Sequence, residues 1–161
     1  SSLEEASARQ ATHIAVLQMY LEGQDKNRRS KILELVSVSE VKNEDLKETV
    51  LNLGKKVDIV IKKEDIKEVY RLGKKQEGNN SKPRKIVVRM KDREQVISFL
   101  RKKKALKNQA NIFENESLTK YQKEVFNAAN AERKAENYKF IFTRGGVTFV
   151  KKNENQFRPT H

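Results

Sequence analysis

The sequence predicts an α+β protein in three parts: an N-terminal coiled-coil helix, a domain of order β-α-β-β-α-β, and a small C-terminal domain of one helix and a β-hairpin. Three observations predict it. Apolar residues recur at heptad spacing near the N-terminus, strand-like and helix-like runs alternate through the middle, and aromatic residues alternate before a Gly-Gly pair. The predicted domains span residues 1–29, 30–113 and 114–161, and we expect the chain to be a fragment whose last domain is truncated.

The first 29 residues predict a helix that associates through a heptad seam. Residues 3–29 contain no proline, and Ile14, Leu17 and Leu21 fall on successive a, d and a positions, while polar residues fill other seam positions. Apolar a and d positions interrupted by polar ones are typical of coiled coils that specify a register. We therefore predict that these three side chains form an oligomer contact. The same pattern also suits an amphipathic helix that docks on its own domain.

The middle of the chain reads as four strands and two helices. Asn43 is the predicted N-cap of the first helix, and the residues between the second and third strands predict a basic loop. Such a split β-α-β order gives a four-stranded antiparallel sheet with both helices on one face. RNA-recognition domains bind through the face that stays open. The strands are predicted at residues 32–38, 66–72, 85–90 and 112–113, and the helices at residues 43–57 and 92–104.

The remaining residues predict a helix followed by a hairpin. Thr119 and Gln122 form a capping-box pattern, and Gly145-Gly146 is a turn signal between two alternating runs. A small domain needs aromatic bulk, so we assign the aromatic residues on one face of the first run to its core. These residues are Tyr138, Phe140 and Phe142.

Positive charge is concentrated in one window of the chain. Of the formal net charge of +13, residues 69–107 contribute +11, from fourteen basic and three acidic side chains. A field of this sign and density attracts a polyanion, and nucleic acid is the leading candidate. The basic residues of this window that we predict to contact it are Arg71, Lys74, Lys75, Lys82, Arg84, Lys85, Arg89, Arg101, Lys102, Lys103 and Lys104.

The sequence carries no pattern of a catalytic or metal site. The chain has no cysteine, and its two histidines, His13 and His161, are too far apart in sequence for metal-ligand spacing. Glu114 and Glu116 precede a predicted helix, where carboxylates commonly complement the helix dipole. No apolar run approaches the length of a membrane span. We therefore expect a non-catalytic intracellular protein, cytoplasmic or nuclear, with no cofactor, metal, membrane or small-molecule partner.

The order of the motifs resembles one protein family. A helix end running into KNRRSKILELVSVSE is followed by NEDLKETVLNL, DIKEVYRLGKK, KIVVRM, NIFENESLTKYQKEVF and YKFIFTRGGVTFVKK. This order is similar to that of the first open-reading-frame protein of LINE-type retrotransposons and of the baculovirus few-polyhedra (FP) protein, over almost the whole chain. The resemblance implies an oligomeric coiled coil, an RNA-recognition-like domain and a C-terminal domain that bind single-stranded nucleic acid and act as its chaperone.

The resemblance also implies particular basic contacts. KIVVRM and KILELVSV lack the aromatic residues with which RNA-recognition domains stack bases. We therefore expect backbone-directed binding, with stacking left to Tyr70 or to the C-terminal aromatic residues. The basic positions that the resemblance implies are Arg71 at the close of the second strand, Lys82, Arg84 and Lys85 before the third, Arg101 to Lys104 after the second helix, and Lys139 and Arg144 in the C-terminal domain.

The predicted function is binding of single-stranded RNA, and of single-stranded DNA as well, with little sequence preference, in the packaging of a retrotransposon or related virus. An alternative is an oligomeric assembly protein of viral or mobile-element origin that acts through protein–protein contacts. In that case, substitutions in the heptad seam abolish function, whereas substitutions at Arg71 or at residues 101–104 leave it intact.

Overall fold

The computed structural model describes residues 2–76, 78, 81–153 and 158–159. They form two compact units, one of residues 30–117 and one that combines the N-terminal helix, up to residue 29, with the residues from 118 onward. In chain order the elements are α1 (Ser2–Arg29), β1 (Ile32–Val36), α2 (Leu46–Lys56), a 3-10 turn (Lys63–Asp65), β2 (Ile66–Arg71), β3 (Ile86–Met90), α3 (Arg93–Arg101), α4 (Lys103–Ala110), β4 (Phe113–Glu116), α5 (Lys120–Ala135), β5 (Phe140–Arg144), β6 (Val147–Lys151) and β7 (Arg158–Pro159).

The unit of residues 30–117 contains the predicted split β-α-β arrangement. Its strands lie in the order β2-β3-β1-β4, and every neighbouring pair is antiparallel. The predicted α+β fold class is therefore confirmed, with two differences near the end of this unit. The predicted second helix is divided at Lys102 into α3 and α4. The last strand is β4 rather than residues 112–113, so the sheet continues past the predicted boundary at residue 113.

The first helix of this unit begins later than predicted. The side chain of Asp45 accepts a hydrogen bond from the backbone N–H of Glu48 at 3.2 Å, which makes Asp45 the N-cap of α2. Asn43, the predicted N-cap, instead has a φ of 58°, a left-handed conformation that asparagine tolerates in turns. Glu44 between them is turned toward the sheet, where it pairs with Arg71.

The core of this unit lies between the sheet and its helices. Leu33 pairs with Val88 and Leu35 with Ile86, and because directly paired residues share a face, all four point toward the helices. The alternate residues of the strands point to the other face, the one predicted to stay open, and Ile32 and Val87 on it are buried. The helices fill the core with Val50, Leu53, Val96, Phe99 and Leu106.

In the second unit, α5 begins after an N-cap at Thr119. The Thr119 hydroxyl accepts a hydrogen bond from the backbone N–H of Gln122 at 3.1 Å, and the Gln122 side chain accepts one from the backbone N–H of Thr119 at 2.9 Å. This pair confirms the predicted capping box. The same hydroxyl donates to the carboxylate of Glu22 in α1 at 2.7 Å. None of the 28 residues of α1 is buried.

The predicted hairpin is present, but its aromatic residues lie on the opposite face from the one expected. Gly145 and Gly146 both have positive φ, 60° and 78°, as a two-residue hairpin turn between β5 and β6 requires. The buried face is formed by Thr148 and Val150, and it packs on α5. Residues paired across β5 and β6 on the other face include Phe142 with Phe149 and Phe140 with Lys151.

The assignment of the C-terminal aromatic residues to the core is therefore wrong. Phe140 is 41% exposed, and Phe142 and Tyr138 are half-buried. Thr148 and Val150 on the face toward α5, together with Ala129 of α5, already supply the buried side chains between the hairpin and this helix. Strand alternation placed Phe140 and Phe142 on one face correctly, but Tyr138 precedes β5, and alternation could not tell which face the helix covers.

Candidate nucleic-acid interface

The basic residues predicted to bind nucleic acid divide into two classes by their partners. Four of them form ion pairs with carboxylates of the same unit: Arg71, Arg84, Lys85 and Arg89. The others form no ion pair with a carboxylate among the described residues, and apart from the half-buried Lys102 they are exposed: Lys74, Lys75, Lys82, Arg101, Lys102, Lys103, Lys104, Lys139 and Arg144. The two classes have different consequences for binding, because a paired and buried cation is already neutralised.

Arg71 is a structural residue. Its side chain is only 4% exposed, and all five of its N–H donors are used inside the protein. Two go to the carboxylate of Glu44, at 3.0 and 2.9 Å. The other three go to the backbone carbonyls of Val38 at 2.7 Å, Ser39 at 3.0 Å and Arg84 at 2.7 Å. No donor is left for a phosphate, so the prediction that Arg71 contacts nucleic acid directly is corrected.

Glu44 and Glu40 hold the arginines that flank the basic loop. The hydrogen bonds from the Arg71 guanidinium hold the pKa of the Glu44 carboxyl below its usual range. Arg84 pairs with Glu40 at 2.7 Å and donates to the carbonyl of Gly73 at 2.9 Å. Its hydrogen bonds likewise lower the pKa of Glu40. Arg84 therefore ties the two ends of the loop together, and it is only partly exposed.

The pairs on the open face of the sheet are weaker. Lys85 contacts Glu34 at 2.9 Å, and Arg89 contacts Glu68 at 3.4 Å, with both members of the second pair well exposed. The exposed pair of Arg89 and Glu68 contributes little to stability, because water and salt screen it. A phosphate could replace the Glu68 carboxylate at modest cost, and Lys85 is partly exposed, so both cations remain candidate contacts, unlike Arg71.

Among the predicted contact residues, the exposed and unpaired cations of this unit lie in two segments. Lys74, Lys75 and Lys82 are exposed on the loop between β2 and β3, of which residues 77, 79 and 80 are outside the described part. The second segment spans the break between α3 and α4, where Arg101, Lys103 and Lys104 are exposed and Lys102 is half-buried. Cations at the end of α3 complement its dipole, but four in succession exceed what that effect needs.

Two exposed aromatic residues lie on the outer strands of the sheet. Tyr70 of β2 is 42% exposed, and by register it shares the open face with Val87 and Glu34. Phe113 of β4 is exposed on the same face, and the ammonium of Lys107 lies 5.9 Å from its ring centroid. The central strands β1 and β3 carry no aromatic residue. Sequence reasoning identified Tyr70 but missed Phe113, whose face was defined only once β4 was placed.

The outer face of the C-terminal hairpin is the second cationic and aromatic surface. The rings of Phe142 and Phe149 are stacked, with centroids 5.5 Å apart and planes at 15°. The guanidinium of Arg144 lies 5.8 Å from the Phe142 ring, and the ammonium of Lys151 lies 5.9 Å from the Phe140 ring. Arg144 therefore belongs to this face. Lys139 is exposed but precedes β5.

Glu114 is a buried carboxylate without a hydrogen-bond partner among the described residues. It pairs in register with Leu35, so it points to the core face of the edge strand, where it is fully buried. Both carboxylate oxygens lack a partner. Burial raises the pKa of Glu114 to about 8, although the nearby Lys103 acts in the opposite direction. The expectation that Glu114 serves a helix dipole is wrong, because the residue lies in a strand.

The predicted oligomer contacts are exposed along α1. Ile14, Leu17 and Leu21 are all about half exposed or more, with 48% for Leu17. Within its own unit, α1 therefore contributes no buried residue. The same helix also exposes other large apolar side chains, including Met19 and Tyr20.

Comparison with known proteins adds no family to these observations. No protein-family model matches the chain, and no curated protein matches it at a significant level.

Within the described residues there is no group of three or more acidic, histidine or cysteine side chains placed to hold a metal ion, and His161 lies outside them. None of the described helices is both long and apolar enough to cross a membrane.

Proposed function

We propose that this protein binds single-stranded RNA and single-stranded DNA through their phosphates, with little sequence preference. The observation that carries the proposal is the succession of unpaired cations Arg101–Lys104, set beside a second unpaired group on the loop. Three other predicted contact residues of this unit, Arg84, Lys85 and Arg89, are paired with carboxylates. Cations left without carboxylates on the same unit supply the field that attracts a polyanion.

The topology supports a shared binding region for the two unpaired groups. Only Lys91 and Asp92 separate β3 from α3, so the chain reverses there and α3 runs back along the sheet. Its last residue, Arg101, therefore comes toward the end of the sheet where β3 begins. The loop that carries Lys82 enters the sheet at that same end. A single strand passing this end would meet phosphate contacts from both segments.

The scarcity of base-reading groups supports low specificity. Aromatic residues on the open face are confined to Tyr70 and Phe113 on the outer strands, so the central positions offer little for base readout. Stacking on isolated aromatic rings is tolerant of sequence, because every base has a π-face. By the resemblance described above, we extend the proposal to a packaging or chaperone role in a retrotransposon or related virus.

Self-association through α1 belongs to the same proposal. Ile14, Leu17 and Leu21 are exposed at heptad spacing on a helix of which no residue is buried. A second copy of the chain offers the same seam, and burial of apolar a and d residues would remove this surface from water. An oligomer would also multiply the basic surfaces that one nucleic-acid strand can contact.

The proposal is tested by fluorescence polarization titrations with single-stranded RNA, single-stranded DNA and duplex DNA of equal length at several salt concentrations. With about six phosphates neutralised on a single strand, log affinity should fall with log salt at a slope of roughly −4. A flat response, or the absence of binding at low salt, would contradict phosphate-directed binding.

A second candidate function, an assembly protein that acts through protein contacts, is favoured by the exposed apolar residues of α1. Changing both Leu17 and Leu21 to Ser separates the two functions. If the seam is intermolecular, the variant should have a lower mass by light scattering while circular dichroism shows the domains still folded. The assembly function requires that this variant lose activity in cells and that the basic-residue variants keep it. The nucleic-acid-binding function requires the opposite result in a titration with an oligonucleotide short enough for one chain to hold. There the Leu17 and Leu21 variant should still bind, and the variants of the basic residues should bind more weakly.

A further inference from the structure

The two faces of the C-terminal hairpin have opposite chemical character. The face toward α5 pairs Ile141 with Val150 and Thr143 with Thr148, and Thr148 and Val150 are buried. The outer face pairs Phe140 with Lys151, Phe142 with Phe149 and Arg144 with Val147. A sheet with one solvated face normally alternates apolar residues inward and polar residues outward. Here the large aromatic residues are on the outer side.

The core of this unit does not explain the outer aromatic residues. The inner face already contributes the buried side chains, and α5 supplies Ala129 and Gln122 against it. Phe140 and Val147 remain 41% and 48% exposed on the outer face. An exposed cluster of large apolar side chains on a small sheet marks an interaction surface more often than a structural need.

The arrangement of charge on this face identifies the class of ligand. Arg144 and Lys151 lie at opposite ends of the aromatic group, each about the same distance from a ring, 5.8 Å from Phe142 and 5.9 Å from Phe140. Arg144 forms no ion pair with a described carboxylate. Exposed aromatic rings beside cations are the combination by which proteins hold single strands, with bases on the rings and phosphates on the cations. The strongly positive chain, at +13, favours the same ligand over a basic protein surface.

We propose that the outer face of this hairpin is a base-stacking platform for single-stranded nucleic acid. Phe140, Phe142 and Phe149 provide the rings, while Arg144 and Lys151 contact the phosphates on either side of the stacked bases. The platform rests on the proposed nucleic-acid binding and deepens it, because it assigns base contacts to a unit separate from the sheet of residues 30–117. It also predicts that the chain prefers single strands to duplex, whose bases are already stacked on each other.

The absence of tryptophan from the chain allows a direct test. Phe140→Trp places a single tryptophan at the most exposed ring of the platform, and stacking of a base on it quenches its fluorescence. The matched control is Tyr121→Trp, because Tyr121 is an exposed aromatic residue of the same unit that lies on α5 instead. Each variant of the full chain is titrated with a single-stranded DNA oligonucleotide and with an abasic oligonucleotide of the same length and charge, while polarization of a labelled copy reports binding.

The platform predicts quenching in Phe140→Trp by the base-containing strand alone, and no quenching in Tyr121→Trp. Unmodified chain should bind the abasic strand at least about fivefold more weakly, as expected for the loss of even one stacked base. Phe142→Leu should remove most of the preference for the base-containing strand over the abasic strand. Arg144→Gln should reduce the magnitude of the slope of log affinity against log salt with both strands. Circular dichroism checks that each variant is folded.

Three results would overturn the proposal, and they are distinguishable. If both strands bind equally and neither tryptophan is quenched, the platform is wrong while phosphate-directed binding stands. If neither strand binds at any salt concentration, nucleic-acid binding itself fails and the platform with it. If the Phe140→Trp emission shifts with protein concentration in the absence of oligonucleotide, the face is an interface between copies of the chain.

Discussion

The sheet of residues 30–117 and the outer face of the C-terminal hairpin use the same residue types in different ways. In the sheet, arginines meet carboxylates, and Arg71 is enclosed by five hydrogen bonds. On the hairpin, Arg144 lies against an aromatic ring in a solvent-exposed position. The first arrangement stabilises the fold, and the second leaves the guanidinium available to a ligand. A cluster of basic residues in a sequence therefore indicates a polyanion site only if most of these residues are not paired with carboxylates in the folded chain.

The largest expected effect tests whether Arg71 is structural. Arg71→Ala should lower the free energy of unfolding by about 3–5 kcal/mol, because it leaves the Glu44 carboxylate and three backbone carbonyls without their donor. Urea denaturation followed by circular dichroism measures this change. Arg144→Ala, the matched arginine of the hairpin, should change stability by less than about 0.5 kcal/mol. A stable Arg71→Ala variant with weakened nucleic-acid binding would reverse the comparison.

The next effect concerns the buried carboxyl group of Glu114, which lacks the partners that Arg71 has. The pKa of Glu114 is raised to about 8 in the folded chain from 4.5, so the folded state holds its proton more tightly than the unfolded state. Stability from this residue is therefore complete below pH 4.5 and is lost as the pH rises toward 8, with a cost on the order of 3 kcal/mol by pH 7.

Glu114→Gln removes this titration. Relative to the unmodified chain, the variant should gain stability steadily as the pH rises through this range, as measured by urea denaturation at each pH. The same substitution at Glu94, whose side chain is exposed, is the matched control. If the free energy of unfolding of Glu114→Gln changes with pH in parallel with that of the unmodified chain, the Glu114 carboxyl group is ionised at neutral pH and has an ion-pair or hydrogen-bond partner.

The smallest of the three effects tests whether the position of the unpaired cations, and not net charge alone, governs binding. Changing Lys102, Lys103 and Lys104 together to Gln should weaken single-strand binding nearly equally for all sequences. It should also reduce the magnitude of the salt slope by about 2, or roughly 0.7 for each phosphate that is no longer neutralised. The control removes the same charge from elsewhere in the unit, at Lys47, Lys62 and Lys63. Equal weakening by the control would show that net charge alone governs binding.

Local sequence signals predicted the elements that depend on neighbouring residues. The capping box at Thr119 and the turn at Gly145-Gly146 are formed by residues within three positions of each other, and both are present. The order of strands and helices in the middle unit was predictable for the same reason. The errors at Asn43 and at β4 are errors of one to three residues at element ends, where several side chains could have served.

Contacts between distant segments could not be predicted from the sequence. Arg71 meets Glu44 across 27 positions and Arg84 meets Glu40 across 44, so neither pair has a local pattern. As a result, the sequence placed Arg71 among the ligand contacts, together with residues such as Lys82 that do remain exposed. The same limit applies to Glu114, whose burial depends on the pairing of β4 with β1.

The sequence by itself determined the α+β class, the order of strands and helices along the middle unit, the concentration of positive charge and the alternation that puts Phe140 and Phe142 on one face. These follow from periodicity and composition, which are properties of neighbouring residues. The tertiary structure decided which face of each strand is covered and which charges are paired. Burial and ion pairing depend on segments brought together by folding, and they determine whether a cation or an aromatic ring stabilises the protein or remains available to bind.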